Sequence, residues 1–90
     1  MRNIKLLDGT TYQVDRCGAA DGMLRIRILP PFEIRDVFET FLDHSKTDRI
    51  EHYFDGTETD HVIFDHYTAF LAMEMNDDKL LIILKEVTPL

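Results

Sequence analysis

The sequence contains few of the residues on which covalent catalysis, cross-linking and membrane insertion depend. Cys17 is the only cysteine and Ser45 the only serine in the 90 residues, so an internal disulfide is excluded and neither residue stands in a catalytic motif. The longest uninterrupted aliphatic run, Leu80–Leu84, is far shorter than the ~20 residues that a membrane-spanning helix needs. These absences predict a protein without enzymatic activity, without a bound cofactor and without a membrane partner.

Positive charge is also scarce. The chain has 10 Lys and Arg side chains against 17 Asp and Glu side chains, which gives a formal net charge of -7. Proteins that bind DNA or RNA need clustered basic side chains, and the sequence shows no such cluster, so we expect no nucleic-acid partner. Residues 1–8 lack the continuous apolar segment of a secretory signal. We therefore expect a cytoplasmic protein, or one that belongs to a virion-like particle assembled in the cytoplasm.

The middle of the chain carries a helical pattern. Large apolar side chains recur there at the positions i, i+3, i+4, i+7 and i+8, and they are Ile34, Val37, Phe38, Phe41 and Leu42. This spacing predicts an amphipathic helix over residues 31–42, with Pro31 in its first turn and every one of these side chains buried. Because that burial barely offsets the loss of backbone entropy, we expect the helix to form only when it is docked on a sheet.

The pair Asp8-Gly9 marks a turn between two predicted strands, residues 2–7 and 10–16. A two-residue loop would place apolar side chains opposite polar ones. A three-residue loop that ends on a left-handed Gly9 instead pairs Ile4 with Tyr12 and keeps Val14 on the same face. The sequence therefore predicts the second register.

The remaining residues divide into strands and turns. Predicted strands cover residues 23–29, 49–54 and 62–64, a loop covers 17–22, a polar connection covers 44–48, a turn covers 55–56, and 57–60 fit either a loop or a strand. The whole chain, residues 1–90, is predicted to be one domain of the α+β class. The element order β-β-β-α-β-β-β-β indicates a curled antiparallel sheet or a partly open barrel with a single packed helix.

The C-terminal strands, residues 67–75 and 79–86, form the strongest predicted hairpin, with a two-residue turn at Asp77-Asp78. One face of it is wholly apolar and is expected in the core: Leu71, Met73, Met75, Leu80, Ile82 and Leu84. The reverse face then carries a second apolar set, which consists of Phe70, Ala72, Leu81 and Ile83. Because one helix covers only one face, we predict that this set is an interface for a protein partner or a second copy. The alternative is that the sheet curls until other strands cover it.

The histidines suggest a different function. His44, His52, His61 and His66 lie close to carboxylates, which is compatible with a small-ligand or metal-binding domain built from His and Asp residues of 44–66. However, an Asp-His dipeptide on a strand points its two side chains to opposite faces, and no HExxH or CxxC motif is present. Residues 55–60 also lack the rhythm of a calcium loop. We therefore assign no metal ligand.

Three motifs occur in order along most of the chain: D-G-T-T-Y at residues 8–12, F-L-D-H-S-K-T-D-R-I at residues 41–50, and H-Y-T at residues 66–68. Together they resemble a group of small proteins encoded in phage and prophage tail-region operons of Gram-positive bacteria. That group has glycine at the position of His66, where this sequence departs from it. The resemblance implies a particle-associated or tail-associated accessory protein, with no catalytic residues to carry over. The favoured interpretation is a non-enzymatic structural or interaction module that forms a homo-oligomer or docks on a larger assembly.

Overall fold

Alternating aliphatic and polar residues build one antiparallel sheet from strands that occupy most of the chain. The computed structural model of the protein describes residues 2–54 and 61–88. Its elements are β1 (Arg2–Lys5), β2 (Thr11–Ala20), β3 (Met23–Ile28), α1 (Ile34–Leu42), α2 (His44–Thr47), β4 (Arg49–Tyr53), β5 (His61–Asp65), β6 (Ala69–Asn76) and β7 (Lys79–Lys85). The predicted α+β class and the order of strands around helix α1 are confirmed. The predicted turn at 55–56 and the undecided segment 57–60 lie outside the described residues.

The strands form a 7-stranded sheet in the order β5-β4-β1-β2-β3-β7-β6. A flat sheet of this size would hold its edge strands β5 and β6 about 29 Å apart, at ~4.8 Å per strand. Only residues 66–68 join β5 to β6, and so short a link spans at most about 15 Å. The sheet must therefore curl, as predicted, although β5 and β6 do not pair along their described residues and the barrel is not closed.

The curled sheet encloses the core on its concave face. Buried aliphatic side chains from neighbouring strands stand opposite one another, as Ile26 does with Ile82. The buried aliphatic set is Ile4, Leu6, Val14, Leu24, Ile26, Ile28, Val37, Ile50, Leu80, Ile82 and Leu84. Helix α1 covers this core from the concave side, where Phe41 stacks on Tyr12 with ring centroids 5.8 Å apart. The helix is thus docked on the sheet, which agrees with its weak independent stability.

Helix α1 begins later than its sequence pattern predicts. It starts at Ile34, after Glu33 in an extended conformation, so the prediction that Pro31 occupies its first turn is wrong. The half-buried side chain of Phe32 packs against the core. That contact holds the residues before Glu33 outside the helix.

The burial of helix α1 is also smaller than predicted. Val37 and Phe41 are buried, whereas Ile34 is 46% exposed, Phe38 40% and Leu42 47%. The whole apolar stripe spans roughly 140° of the helix circumference, at ~3.6 residues per turn. A helix that lies on one side of a sheet buries only the part of that arc that faces the sheet. We call the exposed set, Ile34, Phe38 and Leu42, the helix stripe.

Two predicted connections are in fact secondary structure. Strand β2 continues to Ala20, because residues 17–20, which were predicted to be part of a loop, pair with β3. The chain reverses at Asp21 and Gly22, whose φ angles of 55° and 74° match the turn that suits a two-residue hairpin. The polar connection before β4 contains helix α2, where the carboxylate of Asp43 accepts a hydrogen bond from the backbone N–H of Ser45. Regular secondary structure thus extends into two segments that were predicted to be a loop and a polar connection.

The register of the first hairpin is confirmed. Ile4 pairs with Tyr12, Gly9 has a φ of 93°, and the Leu6 N–H donates to the Thr10 carbonyl at 2.8 Å. The side chain of Asp8 accepts from the backbone N–H of Thr10 at 3.0 Å. This contact holds the loop in the shape that requires a left-handed Gly9.

The register of the C-terminal hairpin is only partly as predicted. The turn at Asp77-Asp78 is confirmed, and Met75 pairs with Leu80 and Met73 with Ile82. Beyond them the register shifts between Phe70 and Ala72, so that Phe70 and not Leu71 stands opposite Leu84. Leu71 is consequently 50% exposed, and Met75, at the end of the strand, is 47% exposed, so the prediction that both lie in the core is wrong. An irregularity of one residue moves all preceding side chains to the other face of the strand.

Candidate interaction surfaces

The convex face of the C-terminal half of the sheet carries most of the predicted interface. Ala72 pairs with Ile83, and Leu81 pairs with Glu74, on the side of the sheet away from the core. Leu81 and Ile83 are half-buried and Ala72 is exposed. The sheet does not curl far enough to cover them, so this part of the predicted set remains available to a partner.

Phe70 does not belong to this surface. The register shift turns its side chain to the concave face, where it packs against the core. Its ring meets the ring of Phe38 edge-on, with centroids 5.5 Å apart. The prediction that Phe70 lies beside Ala72 on the outer face is therefore wrong, and the interface set reduces to Ala72, Leu81 and Ile83.

Strand β3 places arginines next to these aliphatic side chains. Arg27 pairs directly with Leu81, and Arg25 pairs directly with Ile83. Long arginine side chains cover apolar neighbours with their methylene groups while the guanidinium stays in water. The half-burial of Leu81 and Ile83 follows from this arrangement.

The same convex surface collects basic residues that are far apart in the sequence. Arg16 lies opposite Arg27, and Lys79 and Lys85 flank the outward-facing residues of β7. The basic side chains are Arg16, Arg25, Arg27, Lys79 and Lys85, and the acidic ones beside them are Asp15 and Glu74. We call these residues, together with Ala72, Leu81 and Ile83, the basic sheet face. Sequence reasoning missed this cluster, because strand pairing and not proximity in the chain creates it.

Asp15 neutralises part of the basic sheet face. Its carboxylate accepts from the Arg27 Nε at 2.6 Å and lies 3.0 Å from the Lys79 Nζ. The hydrogen bond from Arg27, followed by that from Lys79, holds the pKa of Asp15 below its ordinary value. Arg16, Arg25 and Lys85 form no ion pair with any residue that the structure describes. The face therefore keeps an excess of positive charge in a chain whose net charge is -7.

The helix stripe forms a second exposed apolar surface, on a segment rich in acidic residues. Four residues from this segment are acidic, namely Glu33, Asp36, Glu39 and Asp43, and all but the half-buried Asp43 are exposed. Arg35 is the only basic residue between 33 and 43, and its Nε lies 3.9 Å from a carboxylate oxygen of Glu39. At ~3.6 residues per turn, Arg35 and Glu39 flank the helix stripe and Asp36 lies on the opposite side of the helix. The helix stripe is therefore an exposed apolar strip whose nearest charged neighbours are paired with one another.

The histidines lie in separate surroundings. His52 is buried on the concave face, where its Nε2 accepts from the Arg2 Nε at 3.3 Å, and burial, together with the nearby Arg2 charge, lowers its pKa. His61 stacks on Tyr53 with ring centroids 4.9 Å apart. The Nδ1 of His66 lies 3.0 Å from a carboxylate oxygen of Asp48. Among the described residues no three His, Cys, Asp or Glu side chains converge as a metal site.

Cys17 faces the core and not a cleft. Its side chain is buried opposite Ile26, and this burial raises the pKa of the thiol to about 12. Because only the thiolate is a good nucleophile, the position does not favour a reactive cysteine. A cleft of about 390 Å³ lies elsewhere, and it is lined by Asn3, Thr11, Tyr12, Gln13, Leu29, Pro30 and Pro31. None of the His and Asp residues of 44–66 lines that cleft.

Comparison with known proteins yields no relative for this chain: no family model, curated protein or solved structure matches it. Within the described residues no helix is both long enough and apolar enough to cross a membrane. The surfaces themselves are thus the observations on which a function can be argued.

Proposed function

We propose that the protein is a non-enzymatic interaction module and that the basic sheet face is its contact surface. The observation that carries this proposal is the row of outward-facing aliphatic side chains, Ala72, Leu81 and Ile83, on an uncovered part of the sheet. Side chains of this kind flanked by arginines are typical of protein interfaces, where a small apolar centre is surrounded by polar groups and arginine is enriched.

The charge around this centre favours a protein partner over a nucleic acid. The basic side chains of the face are partly neutralised by Asp15, and the chain as a whole repels phosphates. A partner of this surface would present acidic side chains around an apolar patch.

We further propose that this role belongs to a phage- or prophage-tail assembly, as an accessory protein of the particle. The support is the resemblance of the three sequence motifs, which include turn and cap positions of the fold. Gly9 closes the first hairpin with a φ of 93°, and His66, at the position where the resembled group has glycine, has a φ of 70°. A left-handed residue at that point is the conformation that glycine adopts most easily. Mass spectrometry of particles purified from the source strain should detect the protein, and its absence from them would contradict this role.

A substitution that introduces one charge into the contact surface tests this proposal. Leu81→Glu should reduce the mass measured by light scattering to that of a 10.5 kDa monomer, because a hydrated carboxylate then replaces the aliphatic centre of the interface. Leu81 points outward, so circular dichroism should show a folded domain. Ile63→Glu is the matched control, since Ile63 is an exposed aliphatic residue on β5, at the opposite edge of the sheet. A wild-type protein that is monomeric at high concentration, or a Leu81→Glu variant that assembles normally, would refute the proposed contact surface.

A further inference from the structure

His52 is the one buried side chain of the described residues that can take up a proton near neutral pH. It is 1% exposed, and Thr47, which does not titrate, is the other polar side chain buried to this degree among those residues. The buried thiol of Cys17 already carries its proton, because burial raises its pKa to about 12. Histidine changes its charge between about pH 8 and pH 5, so mild acid acts on the core through His52.

Apolar groups and one positive charge surround His52. Ile4 of β1 and Val62 of β5 stand directly opposite it in the sheet. The Nε–H of Arg2, at the start of β1, donates to the His52 Nε2 at 3.3 Å. The carboxylate of Glu51, its neighbour on β4, belongs to the other face of the strand. No other charged side chain interacts with His52 in the part of the chain that the structure describes, so a proton on the ring has no counter-ion there.

Arg2 is held beside the ring by contacts of its own. Its Nη1–H donates to the backbone carbonyl of Asp15 at 3.4 Å, while the Asp15 carboxylate is engaged in an ion pair on the convex face. The guanidinium carbon of Arg2 lies 5.6 Å from the centroid of the Phe54 ring. The guanidinium is therefore fixed next to His52. A second positive charge at this distance is unfavourable in a buried site, and a protonated Nε2 no longer accepts the hydrogen bond.

Strand β4 is attached to β1 by the shortest ladder among the described strands. Three residue pairs join them, with His52 and Ile4 in the middle pair, whereas every other pair of neighbouring strands shares four or more. On its other side β4 pairs with the edge strand β5. The contact between Arg2 and His52 therefore lies where the β4–β5 pair joins the rest of the sheet.

We propose that His52 and Arg2 form an acid-sensitive contact, which releases the β4–β5 pair from β1 when His52 takes up a proton. The released state exposes the edge of β1 and the inner side of β4, where Ile50 is buried in the closed state. Strands β3 and β7 contribute only uncharged side chains to the core, so mild acid leaves them in place. No side chain of the basic sheet face takes part, so this device is separate from the proposed contact surface.

The direction of the effect follows from the surroundings of His52. Burial, and then the charge of Arg2, lowers the pKa of His52 from its ordinary value of 6.5, so the released state binds a proton more readily than the closed state. The closed pairing is most stable above pH 6.5 and loses stability as the pH falls from there to the lower pKa of the closed state. Over this range the equilibrium constant for release should rise by up to about tenfold for each pH unit.

Amide hydrogen exchange on the whole chain tests this inference. Exchange rates of the wild type, corrected for the intrinsic effect of pH, are compared at about pH 7.5 and about pH 5.5. Protection of the β4 amides should fall by about tenfold at the lower pH, while protection of the β7 amides stays unchanged. His52→Gln should remove this difference, because glutamine keeps an acceptor for Arg2 but does not titrate. His44→Gln is the matched control, since His44 is exposed on α2, and it should respond as the wild type does.

Unchanged protection of β4 in the wild type would overturn the inference, because the contact would then be insensitive to acid. Equal losses of protection in β4 and β7 would show that acid unfolds the whole domain instead of releasing one pair of strands. A loss that persists in His52→Gln would assign the effect to another group. If His52→Gln does not fold, the ring signals of His52 in the NMR spectrum of the wild type decide the matter. They should titrate below the ordinary pKa of 6.5, and titration at or above that value contradicts the inference.

Discussion

At the scale of single residues, the sign of the backbone φ angle is decided by local chemistry. Three described non-glycine residues have positive φ, and they are Asp21, His66 and Asp77. Two of them are aspartates in turns, where a short polar side chain tolerates the left-handed region better than a branched one. Turns of this kind can be predicted from neighbouring residues alone. The hairpin turns at Gly9 and at Asp77-Asp78 were predicted correctly for that reason.

Gly9→Val tests the left-handed turn of the first hairpin. A branched side chain resists a φ of 93°, so the free energy of unfolding should fall by about 1–2 kcal/mol or more. Gly18→Val is the matched control, because Gly18 lies in strand β2 without a positive φ and an added Cβ there meets no atom within 4 Å. Chemical denaturation of both variants makes the comparison. Equal losses of stability in the two variants would contradict the assigned turn.

Asp15 makes stability depend on pH at the basic sheet face. Arg27 and then Lys79 hold the pKa of Asp15 below its ordinary value of 3.8. The charged carboxylate is therefore more stable in the folded state than in the unfolded state. The stabilisation is present above the ordinary pKa and is lost as the pH falls through the lower pKa of the folded state. At pH 7, Asp15→Asn should reduce the free energy of unfolding by up to about 1 kcal/mol.

The comparison across pH distinguishes this effect from a simple loss of packing. The difference between Asp15→Asn and the wild type should shrink below about pH 4, as measured by urea denaturation at several pH values. Asp78→Asn is the control, since Asp78 is exposed and forms no ion pair with a described residue. A destabilisation by Asp15→Asn that stays constant down to acid pH would show that the carboxylate charge is not responsible.

At the scale of elements, the position of a helix or strand is decided by a pattern, but the depth of its burial is not. The apolar pattern of α1 correctly predicted a helix in this part of the chain. It overestimated the buried side, because Ile34 and Leu42 turn past the edge of the contact with the sheet and Phe38 meets the sheet at Phe70 while staying 40% exposed. In strand β6, the strict alternation of a regular strand placed Leu71 in the core. Because the register shifts between Phe70 and Ala72, Phe70 takes the place in the core that was predicted for Leu71.

Phe70→Ala and Leu71→Ala test this exchange directly. Phe70 packs against the core and against Phe38, so its truncation should lower the free energy of unfolding by about 2–3 kcal/mol. Leu71 is 50% exposed, and its truncation should cost less than about 1 kcal/mol. Urea denaturation of the two variants gives the order. The reverse order would restore the uninterrupted register and return Phe70 to the outer face.

At the scale of the whole molecule, the sheet sorts charge between its two sides. The chain is acidic overall, yet strand pairing brings Arg16, Arg25 and Arg27 onto one convex surface. Helix α1 carries carboxylates on the other side of the sheet. This separation of charge has no counterpart in the order of residues along the chain.

The whole-molecule charge also predicts weak contact with nucleic acids. At a net charge of -7, the protein should elute from a heparin or DNA column below about 0.2 M salt, because few phosphate contacts can form. Gradient elution of the wild type and of Arg25→Glu measures this. If the wild type elutes at higher salt and Arg25→Glu does not, the basic sheet face binds phosphates and not a protein partner.

The sequence by itself determined the class of the fold, the order of its strands and helix α1, and the hairpin turns at Gly9 and at Asp77-Asp78. These features depend on side-chain alternation, on helical spacing and on turn residues, all of which act over a few neighbouring positions. Tertiary structure alone decided which part of the apolar stripe on α1 is covered, which of Phe70 and Leu71 enters the core, and where the basic side chains gather. Those outcomes depend on the curl of the sheet and on pairing between strands that are distant in the chain. No local pattern records them.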